Sequence, residues 1–491
     1  MTLAAAAALV LVAQAQVGPA PRPVELEVLL GRLVELSPEL ADAALAVRLA
    51  TAEQLRARAI LDLELGGEAA ARQSVANVAS LGQIFGALEA SETLTAKKGF
   101  PTGTRVALEQ QLVHGAAPNA LRAVESAVGL LTPDQYFYDL SSLTLTVTQP
   151  LLRGAGEGAA MAAYRAALRG VDAARLRRLA ELSRAQVRAA AAYYALYARE
   201  QELEIAKGVM ERDAQELALT QKRISLGIVP SSDLLRLQEA SATHAERAVA
   251  ARLAAADAQR LLRAELGLAE GGDGISTAVD LAAPSPPTGR EAVSSAAVAS
   301  HPAVLAARKE VERRKEQLTR ARDAVRPALD LSAFAGATGF DPGSPAGALF
   351  QTARVQRGIY GAGLTFSYPL DGSPGKADVE QAEAELARAE AARQRAEQEA
   401  ARAAVAMADA VESAAARLEL SEKAVGLARQ ALAAERDRYG QGRGTLFDVL
   451  SAEAAASDAE RRRAQVQADL LLARFSLKAA TGALGLELAG R

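Results

Sequence analysis

The chain contains no cysteine. That excludes disulfides, thiolate metal sites, cysteine nucleophiles and a lipid anchor carried on an N-terminal cysteine. Tryptophan is absent too, and aromatic residues make up only 4% of the 491 positions. Half of the residues are nevertheless hydrophobic, with alanine abundant among them. This balance excludes a large aromatic core and suits long helices packed at close range. Histidine occurs only at His114, His244 and His301, far apart in the sequence. No glycine-rich phosphate loop, metal-ligand cluster or nucleophile elbow appears at a usable spacing, so nothing indicates an enzyme, a cofactor or a metal. A net charge of −3 gives no electrostatic case for binding nucleic acid. No apolar stretch reaches the ~20 residues of a membrane-spanning helix, so any crossing of a bilayer falls to strands.

What is present begins with an uncharged apolar run from Leu3 to Ala13, followed by Ala13-Gln14-Ala15 and then Pro19, Pro21 and Pro23. It has the length of a secretory leader and a small-residue cleavage site, which predicts a signal peptide over residues 1–15 and export. It lacks the early Lys or Arg of such leaders, and a plain N-terminal apolar helix is the other reading. An N-terminal segment, 16–36, follows.

The rest of the sequence is organised around a pattern that occurs twice. Arg223, Gly227 and Asp233 recur at the same offsets as Arg438, Gly442 and Asp448. Each set lies between two long helical patterns and marks a helix–turn–helix tip. Ser37-Pro38-Glu39-Leu40 and His301-Pro302-Ala303-Val304 each open a helix, with proline at its first position. The spacing predicts helices over about 38–58 and 302–325. Alternating segments follow, with strands expected at about 60–75 and 138–150 in the first unit and at about 327–335 and 360–369 in the second. Leu143, Leu145 and Val147 alternate with Thr144, Thr146 and Thr148, and Leu364 and Phe366 alternate with Thr365 and Ser367. One oily face and one polar face suits either a wet lumen inside a lipid-facing barrel or an ordinary sheet on a core. Tyr136, Phe137, Tyr138, Phe350 and Tyr360 lie near strand ends, where an interfacial aromatic belt would sit. In the first unit the connection between strands is much longer. Its segments Thr93 to Ala96 and Arg105 to His114, joined by Lys97 to Gly103, read as an added hairpin plus loop.

Proline is absent from Leu151 to Val229 and after Pro374. Helical pattern from about Glu157 to Leu226 would extend ~105 Å, and a second run covers Lys376 to Tyr439. Helices of this length belong to coiled coils or α-barrels. Shorter returning helices are expected over Ser231 to Leu266 and Thr445 to Thr481. Residues 268–299 read as a linker rich in Gly, Pro and Ser, carrying one short strand near Thr277 to Leu281. At the second tip, Gly440 and Gly442 suit left-handed helix ends, and Thr445 with Asp448 is an acidic capping box.

These motifs, with Thr148-Gln149-Pro150-Leu151-Leu152-Arg153-Gly154, resemble the TolC-like family of bacterial outer-membrane efflux channels, over Ser37 to Leu484. The resemblance implies a mainly α protein with a membrane β-barrel part, built from repeats 37–267 and 300–484 and ending in a tail, 485–491. It implies a homotrimer, with four strands per subunit in a twelve-stranded barrel continued by a periplasmic α-barrel. It implies a passive efflux duct for small molecules in the outer membrane. It implies coupling of that duct, through a periplasmic adaptor, to an inner-membrane pump of RND or ABC type. Under it Leu143, Leu145, Val147, Leu364 and Phe366 face lipid, and Asp448, Ser451 and Asp233 line the periplasmic aperture. Gly227, Ile228, Val229, Ser231, Gly442, Gly444 and Thr445 form the adaptor-contact tips. Where the family carries a second ring of aspartates this chain has Ser451, which leaves one aspartate per subunit at that level. The exit duct of a type I protein secretion system and a non-channel coiled-coil periplasmic scaffold are the alternatives.

Overall fold

The computed structural model describes residues 22–78, 83–116, 137–226, 230–268, 274–279, 289–341, 343–370 and 372–484. The expected signal peptide, the C-terminal tail, Tyr136 and the tip residues Gly227, Ile228 and Val229 lie outside them. Two compact units emerge. One takes Met1–Val47, Ala173–Arg308 and Ala392–Arg491, the other Arg48–Asp172 and Lys309–Ala391.

The first unit is helical. A short strand, β1 (Arg22–Glu25), leads into α1 (Leu26–Leu36) and then α2 (Pro38–Arg58). The first long helix, α4 (Ala162–Ser225), starts among the residues of the second unit, after a single turn there, α3 (Gly156–Ala160), belongs to the first unit from Ala173, and returns as α5 (Ser231–Glu265). The expected unbroken helix from Glu157 is therefore interrupted at Met161, whose ψ of 2° departs from helical geometry. In the second half, α9 (Ser373–Gly440) turns into α10 (Leu446–Ala480). Alanines at small-residue stripes explain how these helices pack. On α9, Ala400, Ala404, Ala408, Val411 and Ala414 share one face at spacings of four and three. They bury against Leu470, Ala473 and Leu477 of α10, with Val293, Ala297 and Val304 in the same cluster. A second cluster joins Leu29, Leu30 and Leu33 of α1 to Ala185, Ala189, Tyr193 and Leu196 of α4 and Leu262 of α5.

The stretch read as a linker holds more structure than expected. The short strand β6 (Ile275–Ala278) pairs in parallel with β1, and α6 (Arg290–Ser300) precedes α7 (Pro302–Ala324). Tyr193, 1% exposed, fastens the strand pair to the helices. Its hydroxyl lies 2.8 Å from the carbonyls of Val24 and Ala278, and it accepts from the Ala278 N–H at 2.8 Å. Burial pushes this phenol up to about 12, so it remains a donor throughout the neutral range. Nearby, the Glu200 carboxylate accepts from the Thr277 N–H at 3.1 Å and from its hydroxyl, although burial raises its pKa.

The second unit is built on a six-stranded antiparallel sheet. Its strands are β2 (Leu63–Val78), β3 (Gln83–Gly99), β4 (Arg105–Ala116), β5 (Phe137–Pro150), β7 (Ala328–Asp341) and β8 (Arg357–Ser367), in the order β2-β3-β4-β5-β7-β8. The four strands implied by the resemblance are thus six. The added hairpin does not hang from the connection; it is inserted between β2 and β5. Another element not read from the sequence, α8 (Pro345–Ala353), is capped by Ser344, whose hydroxyl accepts from the Gly347 N–H. Ion pairs of Arg165 with Glu316, Arg169 with Glu312 and Arg322 with Glu383 join helical segments of this unit.

Candidate functional site

Pairing registers assign every described strand residue to one of two sheet faces. Leu65, Ala96, Leu108, Leu145, Ala335 and Tyr360 form one continuous cross-strand row. Adjacent rows on that face contain Leu63, Leu94, Val106, Leu143, Val147, Leu364 and Phe366. The other face carries Glu64, Thr93, Thr95, Glu109, Gln111, Thr144, Thr146, Thr148 and Asp330, with Arg105 3.8 Å from Asp330. Much of the apolar face is open. Leu65 is 75% exposed, Leu94 64%, Leu364 66%, Phe366 66% and Tyr360 87%. On the apolar face Lys98 and Glu92 of β3 bracket Ala96 and Leu94, and between them the sheet leaves large apolar residues open, as a sheet packed on a core does not.

All five residues expected to face lipid lie on this one face. Leu145, Val147, Leu364 and Phe366 are exposed, whereas Leu143 is half-buried and sits opposite the buried Ala337. Toward the ends of the strands that carry Asp139 and Asp341, the same face turns polar. His114 Nδ1 lies 2.6 Å from Asp139 Oδ1, and the Gln110 amide donates to Ser141 Oγ at 2.9 Å. Here α8 covers the sheet, and the Thr352 hydroxyl donates to the Ser141 carbonyl at 3.1 Å. The apolar band therefore has a polar, helix-capped upper limit. Tyr138 departs from the expected aromatic belt, because its hydroxyl donates to Glu89 on the polar face. Phe350 and Tyr360 are exposed.

The second tip is a closed turn. The Gly442 N–H donates to the Tyr439 carbonyl at 3.0 Å and the Arg443 N–H to the Arg438 carbonyl at 2.8 Å. With Gly442 at φ +72°, this is the helix-ending geometry that glycine adopts at least cost. Gly440 instead remains the last residue of α9, so of the two expected left-handed glycines only Gly442 takes that conformation. A Cβ at Gly444 would lie 3.2 Å from the Tyr439 nitrogen, so this glycine allows the chain to pass close to the helix end. The next helix opens on a complete capping box. The Asp448 N–H donates to Thr445 Oγ1 at 3.3 Å, and Asp448 Oδ2 accepts from the Thr445 N–H at 3.1 Å and its hydroxyl at 2.7 Å. These bonds hold the Asp448 carboxyl below its ordinary range. Ser451 lies exposed one turn further along α10.

The first tip, near Pro230, is represented by the exposed Ser231 and the half-buried Asp233 of α5. A residue that sequence reasoning did not single out joins the two tips. The Tyr439 hydroxyl donates to Asp233 Oδ2 at 3.4 Å, and the Arg223 guanidinium stands 5.8 Å from the Tyr439 ring centre. Burial, followed by the Asp233 carboxylate, raises the Tyr439 pKa. The available signal was an aromatic at an otherwise small, polar turn, in a chain with only nine tyrosines. Deeper in the bundle, Glu453 is 5% exposed and receives both Arg212 at 3.1 Å and Arg436 at 3.2 Å. His244 pairs with the buried Asp213 at 2.8 Å. Among the described residues no group of three or more His, Asp or Glu could hold a metal ion.

Residues 293–483 match the outer membrane efflux protein family. No curated protein matches the chain. Among solved structures, the outer membrane protein VceC of Vibrio cholerae aligns with a TM-score of 0.61 at 20% identity, covering 93% of this chain and 96% of its own. The open state of the MtrE outer membrane channel of Neisseria gonorrhoeae gives 0.61 at 17%, covering 93% and 88%. The CmeC outer membrane channel of Campylobacter jejuni gives 0.62 at 14%, covering 93% and 85%. The described helices and antiparallel sheet are the fold of these channels. The chain thus carries an outer membrane efflux protein domain at residues 293–483 and has, along nearly all of its length, the fold of the TolC-like outer-membrane channels.

Proposed function

We propose that this protein is a passive exit duct of the outer membrane, formed when three copies close their sheets into one barrel. The observation that carries this reading is the exposed apolar face joined to a sheet with two open ends. In hydrocarbon, each unsatisfied backbone group on β2 or β8 would cost several kcal/mol. Neighbouring copies remove that cost by pairing. The same order of helix, strands, long helix and returning helix, in residues 37–267 and again in 300–484, supports a duplicated unit. Long helices from each copy would continue the barrel as a periplasmic tube. Energy would come from an inner-membrane pump, reached through an adaptor that docks on the tips. Gly442, Gly444, Thr445 and Ser231 are the described residues assigned to that contact, and Asp448, Ser451 and Asp233 are assigned to the aperture. Small molecules are the cargo this reading assigns.

Mass and conductance test the reading. The full chain, extracted from outer membranes in detergent, is expected to have the mass of three copies by native mass spectrometry and to conduct ions in planar bilayers. A single-copy species recovered from the soluble periplasmic fraction would overturn it. For docking, Gly442→Val is expected to reduce crosslinking to a periplasmic adaptor; unchanged crosslinking would remove the tip assignment and leave the duct intact.

A further inference from the structure

We infer that the hairpin of β3 and β4 is a part of the membrane wall, so that each copy contributes six strands to the shared barrel and a three-copy barrel has eighteen. The inference rests on the shared-barrel reading above and concerns the size of that barrel and the edges through which copies meet.

Three observations carry it. The first is face continuity. Leu94 and Ala96 on β3 and Val106 and Leu108 on β4 fall on the same face as Leu65 of β2 and Leu145 of β5. Thr93, Thr95 and Glu109 fall on the polar face with Glu64 and Thr144, while Lys98 and Glu92 share the oily face of β3 and bracket Ala96 and Leu94 there. A hairpin lying outside the bilayer would have no reason to keep an oily side aligned with its neighbours, whereas a wall strand needs that alternation. Leu94 is 64% exposed and Leu108 41%, so this oily side covers no core.

The second is length and anchorage. β3 has 17 residues and β4 has 12, at or above the ~9–11 of a tilted transmembrane strand. Their turn lies at the end of the sheet where β2 begins and β5 finishes. There the Gly156 N–H donates to the Thr102 carbonyl at 3.1 Å, which ties the turn to the segment following β5. The hairpin therefore extends from the helix-connected end of the sheet toward the end covered by α8.

The third is parity. A single added strand would reverse the direction in which the chain leaves the sheet. Two preserve it. Through the intervening registers Leu63 still corresponds to Val147, and β2 still runs antiparallel to β5. At the outer edges β2 and β8 also run in opposite directions, which lets β8 of one copy pair antiparallel with β2 of the next and close the ring with every backbone group bonded. The partner for these edges is a second copy of this chain.

Barrel diameter grows about linearly with strand number, so eighteen strands make a barrel about 1.5 times as wide as twelve would. Barrels of this size leave an aqueous channel, which suits the row of threonines, acids and Arg105 on the inner face.

The absence of native cysteine makes the test direct. Single cysteines would replace Leu94, Leu108, Thr95, Glu109, Leu145 and Leu364 in the full chain, in outer-membrane vesicles, and would be labelled with a water-soluble maleimide. Leu94→Cys and Leu108→Cys are expected to react as slowly as Leu145→Cys and Leu364→Cys, and about tenfold or more slower than Thr95→Cys and Glu109→Cys. Rapid reaction at 94 and 108 with 145 and 364 still protected would overturn the six-strand wall alone. Rapid reaction at all four would also overturn the shared barrel. Double variants count strands independently. Leu65→Cys with Ala96→Cys and Leu108→Cys with Leu145→Cys should each oxidise within a chain, whereas Leu65→Cys with Leu145→Cys, three strand spacings or about 14 Å apart, should not. An intrachain disulfide in the last pair would mean that β2 lies beside β5 and the hairpin is outside the wall.

Discussion

Among the described residues the helical unit buries large apolar side chains, and the six-stranded sheet buries none. In the bundle Leu33, Leu196, Leu262 and Leu477 are each no more than 2% exposed, while in the sheet Leu63, Leu65, Leu94 and Leu364 are each at least 60% exposed. Alanine fills the close contacts of the first, and threonine and glycine line the faces of the second. The difference shows that hydrophobicity alone does not mark a core in this chain. What marks one is whether the apolar positions follow a period of 3.6 toward another helix or a period of two toward open surroundings.

Substitutions at matched sites should separate the two regimes. The largest effect is expected from Tyr193→Ala, which empties a buried volume and releases the strand pair of β1 and β6. About 3–5 kcal/mol of stability should be lost, read by thermal unfolding of the helical circular dichroism signal in detergent. A loss near zero would mean that the bundle is not organised around this residue. Next comes Leu364→Arg, which in solution would be nearly neutral at an exposed site. In a lipid-facing wall it should cost about 2–4 kcal/mol near the bilayer midplane, read by denaturant titration in vesicles. A matched change on the polar face, Thr365→Arg, is expected to cost much less, and equal costs would break the contrast between faces. Tyr193→Phe keeps the volume and removes the hydroxyl. It should cost about 1–3 kcal/mol, because the buried Ala278 N–H loses its acceptor.

The smallest effect concerns pH. Hydrogen bonds from Thr445 depress the Asp448 pKa in the folded state below its ordinary 3.8. The folded protein therefore binds this proton less readily than the unfolded chain. The contribution of Asp448 is complete above that ordinary value and is lost as pH falls through the depressed one. Asp448→Asn should flatten this acid limb of the melting curve and leave the neutral-pH barrel mass unchanged. An unaltered acid limb would remove the capping role.

Much of this was legible in the residues. Long proline-free stretches located α4, α5, α9 and α10, and period-two alternation located β5 and β8 within a few positions and the start of β7, which runs on to Asp341 instead of ending near 335. Helix α2 begins and ends where Pro38 and Arg58 indicated. The missed elements are short, and their pattern is weak on its own. Strand β1 has four residues and depends on β6 across a long sequence separation, and α6 lies in a stretch rich in serine and alanine. The hairpin of β3 and β4 was recognisable as a hairpin, but its insertion between β2 and β5 is a matter of pairing partners, which local pattern does not encode. The same holds at the tips. The capping box could be read from Thr445 and Asp448, whereas the Tyr439–Asp233 link required two segments about two hundred positions apart to meet.

Under the docking role proposed for the tips, the turn between α9 and α10 has a bearing on recognition. Gly442 and the Thr445–Asp448 box satisfy both ends of this loop internally, so it holds one shape before anything touches it. A protein seated there would meet a ready-made socket and would spend little of its binding free energy on immobilising a loose segment. Loosening the loop should then shorten the lifetime of such a complex while leaving the contacting side chains in place.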